Sequence, residues 1–140
     1  MSDAIVEAPQ KPTPRPSPES APYWAAAAEH KLRVQKCNAC GLHWFPPSQR
    51  CPHCTAADFA WAEVSGHGKV FSFVVFHRVY HPAFEGEVPY VVALVELAEG
   101  PRMLTNIVGI APDDVRCEMP VKVTFDDMAD GVAVPKFGPA

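Results

Sequence analysis

Two Cys-x-x-Cys pairs carry the clearest chemistry in this chain: Cys37-Asn38-Ala39-Cys40 and Cys51-Pro52-His53-Cys54, separated by residues 41–50. Each pair can wrap a tight turn around one face of a metal ion, and a short hairpin can bring the second pair to the opposite face. Four thiolates then complete the tetrahedral shell that Zn²⁺ prefers. Such a shell is coordinatively full, so the ion is expected to be structural and the function is expected elsewhere. Iron in a rubredoxin-type site is the alternative, because it uses the same ligands. A redox dithiol fits less well, since that chemistry needs only one pair. His43 and His53 lie between and within the pairs and are not needed as ligands. Cys117 falls in a strand-like context and reads as a buried apolar side chain.

Other residues could act on a substrate. His67, His77, Tyr80 and His81 are close in sequence, and a His with a Tyr could move a proton on a thioester. No carboxylate or nucleophile partner accompanies them, so no catalytic residue is assigned. Lys31, Arg33, Lys36 and Arg50 are the anion-binding candidates. Residues 30–57 contain no Asp or Glu. Part of that positive charge would balance the formal −2 of four thiolates on a dication.

The bulk properties narrow the field. A 140-residue chain of net charge −4 suits one domain or two very small ones sharing a core. Its acidic balance argues against general affinity for nucleic acid, which needs surplus Lys and Arg. No apolar run approaches the roughly 20 residues of a membrane span. Residues 1–22 lack the basic and apolar regions of a signal peptide. A cytoplasmic protein with reduced thiols is expected.

The elements that must position these groups can be read in outline. Residues 1–22 carry Pro9, Pro12, Pro14, Pro16, Pro18 and Pro22 and form an expected disordered arm. The Ala-rich stretch 23–32 reads as a short helix on which Tyr23, Trp24 and Ala27 share a face. Residues 33–61 form the metal ribbon, with Gly41 after the first Cys pair and Thr55 at the matching place after the second. Strands are expected at 70–78, 90–97, 102–108, 121–125 and 132–137. Five short strands without a long helix indicate a small closed or nearly closed barrel over 62–140. The fold class is therefore mainly β. The 79–89 segment is a long loop of the kind that carries binding residues.

Several motifs in order give the chain a resemblance. They are Cys37-x-x-Cys40-Gly41, Pro46-Pro47-x-x-Arg50-Cys51-Pro52-x-Cys54, Trp61, Gly66-His67-Gly68-Lys69-Val70 and Pro89-Tyr90-Val91-Val92. Leu97-Ala98-Glu99-Gly100, Met119-Pro120-Val121 and Pro135-Lys136-Phe137 follow. From Tyr23 to the end, the chain resembles the acyl-CoA-associated proteins that join a rubredoxin-like zinc ribbon to an OB-fold, long catalogued as a domain of unknown function. Glu118 stands where that family usually has Gly, and His67 where it often has Arg.

The resemblance implies a five-stranded OB-fold barrel and a non-catalytic accessory subunit. Its partners would be thiolase-like, aldolase or hydratase enzymes, and its site could help hold acyl-CoA. On that reading Lys31, Arg33, Lys36 and Arg50 are candidate contacts to CoA phosphates. Tyr23, Trp24, Phe45, Tyr80 and Phe84 are candidate interface anchors. The alternative is a module that binds single-stranded nucleic acid by stacking bases on aromatics.

Overall fold

Proline opens the first element and a turned histidine closes it. The computed structural model of the chain describes residues 11–140, so the first ten residues of the expected arm lie outside it. Ser17 and Ser20 form a turn in which each backbone N–H donates to the other's hydroxyl, at 3.0 and 3.1 Å. The helix α1 follows at Ala21–Ala28, with Pro22 in its first turn. It is shorter at its C-terminal end than the expected 23–32. His30 turns to φ +60°, and the Lys31 N–H reaches back to the Ala26 carbonyl at 2.9 Å. That reversal frees Leu32 to lead into the ribbon.

The ribbon is a three-stranded antiparallel sheet in the order β2-β1-β3. Its strands are β1 (Arg33–Cys37), β2 (His43–Trp44) and β3 (Phe59–Glu63). The remaining strands close into a barrel in the order β4-β5-β6-β8-β7. They are β4 (His67–Phe76), β5 (Tyr90–Leu97), β6 (Arg102–Ile107), β7 (Pro120–Asp127) and β8 (Ala133–Pro139). Along β5 every second residue is buried: Val91, Ala93, Val95 and Leu97 face inward. Phe137, Val70 and Val121 are wholly buried beside them.

Ribbon and barrel share one core. Tyr23, Leu32 and Val34 belong to the same buried cluster as the barrel's Val70, Val95 and Phe137. The Val64 N–H donates to the Leu32 carbonyl at 2.9 Å across the junction. Among the described residues, no helix is long and apolar enough to cross a membrane.

Two local devices shape β4. The pairing with β5 shifts between Val70 and Ser72, so Phe71 is an extra residue that bends the strand and stands outward. The Arg102 guanidinium lies 3.8 Å from the centre of its ring. At Gly68, β4 lies between β5 and β7, and a Cβ there would sit 2.6 Å from the Glu96 carbonyl oxygen. A backbone oxygen cannot swing away as a side chain can. Gly68→Ala is therefore expected to destabilise the chain by about 1–3 kcal/mol in urea denaturation. A loss of less than about 0.5 kcal/mol would show that the strands separate without cost.

Candidate metal centre

The two cysteine pairs sit on matching backbone turns. In the first, the Gly41 N–H donates to the Cys37 carbonyl at 3.0 Å and the Cys37 N–H to the Leu42 carbonyl at 2.8 Å. In the second, the Thr55 N–H donates to the Cys51 carbonyl at 2.9 Å and the Cys51 N–H to the Ala56 carbonyl at 3.0 Å. Gly41 has φ +79° and Thr55 has φ +64°. The second turn is thus a copy of the first, made with a β-branched residue in a region that costs an L-residue about 1–2 kcal/mol. Two bonds brace it: the Thr55 hydroxyl donates to the Cys54 carbonyl at 2.6 Å, and Arg50 Nη1 donates to the Thr55 carbonyl at 3.1 Å.

The turns bring four sulfurs together. The Sγ atoms of Cys37, Cys40, Cys51 and Cys54 all lie within 4.8 Å of one another. Cys37 and Cys54 are 3.5 Å apart, and Cys40 and Cys51 are 3.6 Å apart. A tetrahedral shell with bonds of about 2.3 Å has edges of about 3.8 Å, so the spacing fits a single Zn²⁺. Backbone donors already point at the sulfurs. The Ala39 and Cys40 N–H groups reach Cys37 Sγ at 3.3 and 3.4 Å, and the His53 N–H reaches Cys51 Sγ at 3.4 Å.

Acid–base properties support the same conclusion. The Cys40 N–H is the largest influence on Cys37 and helps hold its thiol down to about 7. The Leu42 N–H favours ionisation of Cys40, but burial and the neighbouring sulfurs outweigh it and push the thiol up to about 12. Burial opposes ionisation of Cys51, yet the Cys54 and His53 N–H groups hold it below the usual range. The Ala56 N–H favours ionisation of Cys54, but the Cys37 sulfur and burial outweigh it and raise the thiol. Neighbouring thiolates oppose one another's ionisation, as like charges do. A bound dication lets all four ionise, and no coordination position is then left for a substrate.

Cys37 and Cys51 are buried and pack with Trp44, whose ring meets Phe59 edge-on at 5.6 Å. Behind this cluster lies a residue that the sequence reading missed. Gln35 is 1% exposed. Its Nε2 donates to the Ser48 carbonyl at 2.7 Å, and its Oε1 accepts the Ser48 N–H at 2.8 Å. The amide thereby ties β1 to the hairpin that delivers the second cysteine pair.

The other sequence-predicted residues separate into used and exposed groups. Arg50 is exposed and gives one of its N–H donors to the Thr55 carbonyl, and Arg33 Nη2 lies 4.0 Å from Glu63. Lys31 and Lys36 face solvent. Tyr23 is 6% exposed, and its ring packs against Trp24 at 4.9 Å and Phe45 at 5.1 Å. Burial raises its phenol well above the usual range. Tyr23 therefore faces inward and does not anchor a partner directly; Trp24 and Phe45 are partly exposed above it. Tyr80 is 70% exposed, with the Arg78 guanidinium 5.3 Å from its ring. Phe84 is half-buried against Tyr90. His81 Nδ1 accepts the Ala83 N–H at 3.0 Å, which caps the short 3-10 turn Pro82–Phe84.

Cys117 differs from expectation. It is exposed, in a turn ahead of β7, and not buried in a strand. The turn reverses at Glu118, which takes φ +70° and whose carboxylate meets Lys69 Nζ at 2.9 Å. That bond is the main cause of the raised Lys69 pKa. The positive φ gives a physical reason for the glycine usual at this place in the resembled family.

Comparison with known proteins agrees with this geometry. Residues 24–60 match the family described as "ChsH2, rubredoxin-like zinc ribbon domain", and residues 61–126 match "ChsH2, C-terminal OB-fold domain". The probable enoyl-CoA hydratase alpha subunit of Thermomonospora curvata is 43% identical over 130 residues, which is 93% of this chain and 40% of that protein. The chain thus spans well under half the length of that relative. A DUF35 domain-containing scaffold protein of Methanocaldococcus jannaschii is 39% identical over 102 residues, covering 69% of this chain and 72% of the relative. A chain of the solved Ltp2-ChsH2(DUF35) aldolase superimposes with a TM-score of 0.82 and 43% identity, over 90% of this chain and 98% of that one.

Two outcomes test the centre. Gln35→Leu strands the Ser48 N–H and is expected to cost about 1–3 kcal/mol, with faster loss of zinc to a chelator. Unchanged stability and metal retention would show that the amide does not brace the site. Gly41→Val is expected to cost about 1–2 kcal/mol, since only its backbone conformation resists the change, whereas Thr55→Gly relieves the same strain but loses the hydroxyl bond to the Cys54 carbonyl, for a net change within about 0.5 kcal/mol of zero. Equal losses for the two would contradict matching turns. From both matched domains, which together cover residues 24–126, the chain belongs to the ChsH2 family of proteins that join a rubredoxin-like zinc ribbon to a C-terminal OB-fold.

Proposed function

We propose that this chain is a non-catalytic accessory subunit that binds and supports an acyl-CoA-processing enzyme of the thiolase-like, aldolase or hydratase class. The observation that carries the reading is the 43% identity to a chain of the Ltp2-ChsH2(DUF35) aldolase, nearly all of which this chain covers. The hydratase subunit of Thermomonospora curvata points to the same kind of assembly. The chemistry is consistent: a four-sulfur shell braces the ribbon and offers no Lewis-acid position. The surface supplies apolar contact area instead. Tyr80, Leu104 and Val74 are 70%, 72% and 54% exposed, and such residues concentrate binding energy when a partner covers them.

In this reading Tyr80 and the 79–89 loop meet the partner on the barrel side. Trp24 and Phe45 do so on the ribbon side, supported from below by Tyr23. Lys31 and Lys36, with Arg33 and Arg50, all in the acid-free stretch 30–57, help hold the phosphates of acyl-CoA. Binding of single-stranded nucleic acid is the weaker reading, because Glu85, Glu87, Asp126 and Asp127 surround the barrel's loops and repel phosphates.

The test is affinity purification of the chain from its native cell, with turnover measured on the isolated, zinc-loaded chain. One enzyme of the named classes is expected at stoichiometric amount, and no turnover of acyl-CoA without it. Tyr80→Ala is expected to weaken the complex by about 1–2 kcal/mol, roughly five- to thirtyfold in Kd. Acyl-CoA turnover by the chain alone, or stoichiometric capture of RNA in place of an enzyme, would overturn the proposal.

A further inference from the structure

The cleft that OB-folds commonly use for ligands lies between the loop joining the first two barrel strands and the loop joining the last two. In this chain those loops are residues 77–89, between β4 and β5, and residues 128–132, between β7 and β8. The cleft is already in contact with another part of the same chain. Residues 11–14, Lys-Pro-Thr-Pro, form one wall of a cavity of about 360 Å³. The barrel supplies the other wall through Phe84, Asn106, Met128, Val134 and Lys136. A second groove of about 500 Å³ shares Phe84, Asn106 and Lys136 and continues along Tyr90 and Val92.

Side chains hold the strap. Lys11 Nζ lies 2.6 Å from a Glu87 carboxylate oxygen and 5.5 Å from the centre of the Phe84 ring. Its side chain is 29% exposed, low for a lysine. Among the described residues, no backbone hydrogen bond joins residues 11–16 to the barrel. That mode suits a proline-rich segment: Pro12, Pro14 and Pro16 have no N–H to donate, and they pre-order the chain, so less entropy is lost on docking. Charge selects the head of the segment. Thr13 and Lys11 also border Asp126, Asp127 and Asp130. Asp126 is paired to Lys136 and Asp127 to His30, but the cleft as a whole remains acidic.

We propose that this cleft is a binding site for an extended peptide with a basic residue followed by alternating prolines, and that residues 11–14 occupy part of it in cis. Opening the site requires displacement of the strap, so a peptide of this pattern competes with the chain's own segment. The inference concerns the isolated chain, and its test involves no partner enzyme, so it stands or falls separately from the accessory role.

The experiment uses the full, zinc-loaded chain, labelled with ¹⁵N. Lys11→Glu places two carboxylates together and is expected to shift the Phe84, Asn106 and Val134 amide resonances. An unlabelled peptide of residues 11–18 should return those resonances toward their wild-type positions. It should bind Lys11→Glu at least about tenfold more tightly than wild type, whose cleft is partly filled at high effective concentration. The charge swap Lys11→Glu with Glu87→Lys should restore the wild-type resonances without peptide. Unmoved resonances in Lys11→Glu overturn the inference, as does a peptide that binds neither protein. A short oligonucleotide that shifts the same amides of wild type more strongly than the peptide also overturns it.

Discussion

Four sulfurs held within 4.8 Å of one another are the constraint on which the ribbon depends. As thiolates they repel, and a dication at their centre would turn that repulsion into cohesion. The surrounding backbone is committed to this geometry. Two turns reverse through positive φ at Gly41 and Thr55, and three N–H groups point at sulfur. A buried glutamine fastens the hairpin that carries one turn to the strand that carries the other. Around the cysteine turns themselves only Trp44, Phe59 and Gln35 supply buried packing in the ion's absence, whereas Val34, Phe45 and Trp61 pack against the core shared with the barrel.

That local brace acquires wider meaning because the ribbon is not a separate bead. Tyr23 on α1, Leu32 and Val34 on the ribbon side, and Phe137 in the barrel lie in one buried cluster. At the far end of α1, His30 stacks on Phe125 with ring centres 5.1 Å apart and meets Asp127 at 2.7 Å. These contacts fix the ribbon's exposed aromatics relative to the barrel's loops. A subunit that presents both surfaces at once gains from such rigidity, because less freedom is lost on docking.

Much of this was legible in the sequence, for reasons that differ by element. The cysteine spacing announced the metal shell, because few arrangements of two Cys-x-x-Cys pairs avoid it. β5 reads over its observed span, Tyr90–Leu97, because a run of β-branched and apolar residues between Pro89 and the Glu99-Gly100 turn favours a strand, although only the fold shows which alternate residues face inward. The helix end was misplaced, since the positive φ that stops it falls on His30 and not on a glycine. Gln35 carries no signal in the sequence because a single polar residue in a strand looks the same whether it faces water or a buried carbonyl. Tyr23 reads as an interface anchor because composition cannot tell an inward aromatic from an outward one. Cys117 reads as a strand residue because the reversal beside it falls on Glu118, a residue that rarely marks a turn of positive φ. The docking of residues 11–14 was equally hidden: proline content predicts an extended chain, not where it lies.

X-ray absorption at the metal edge, on the chain purified natively, measures the central constraint most directly. Four sulfur neighbours at about 2.3 Å and no lighter ligand are predicted. A nitrogen or oxygen neighbour at about 2.0–2.2 Å would mean an open or substituted shell, and would contradict an ion that only braces the fold.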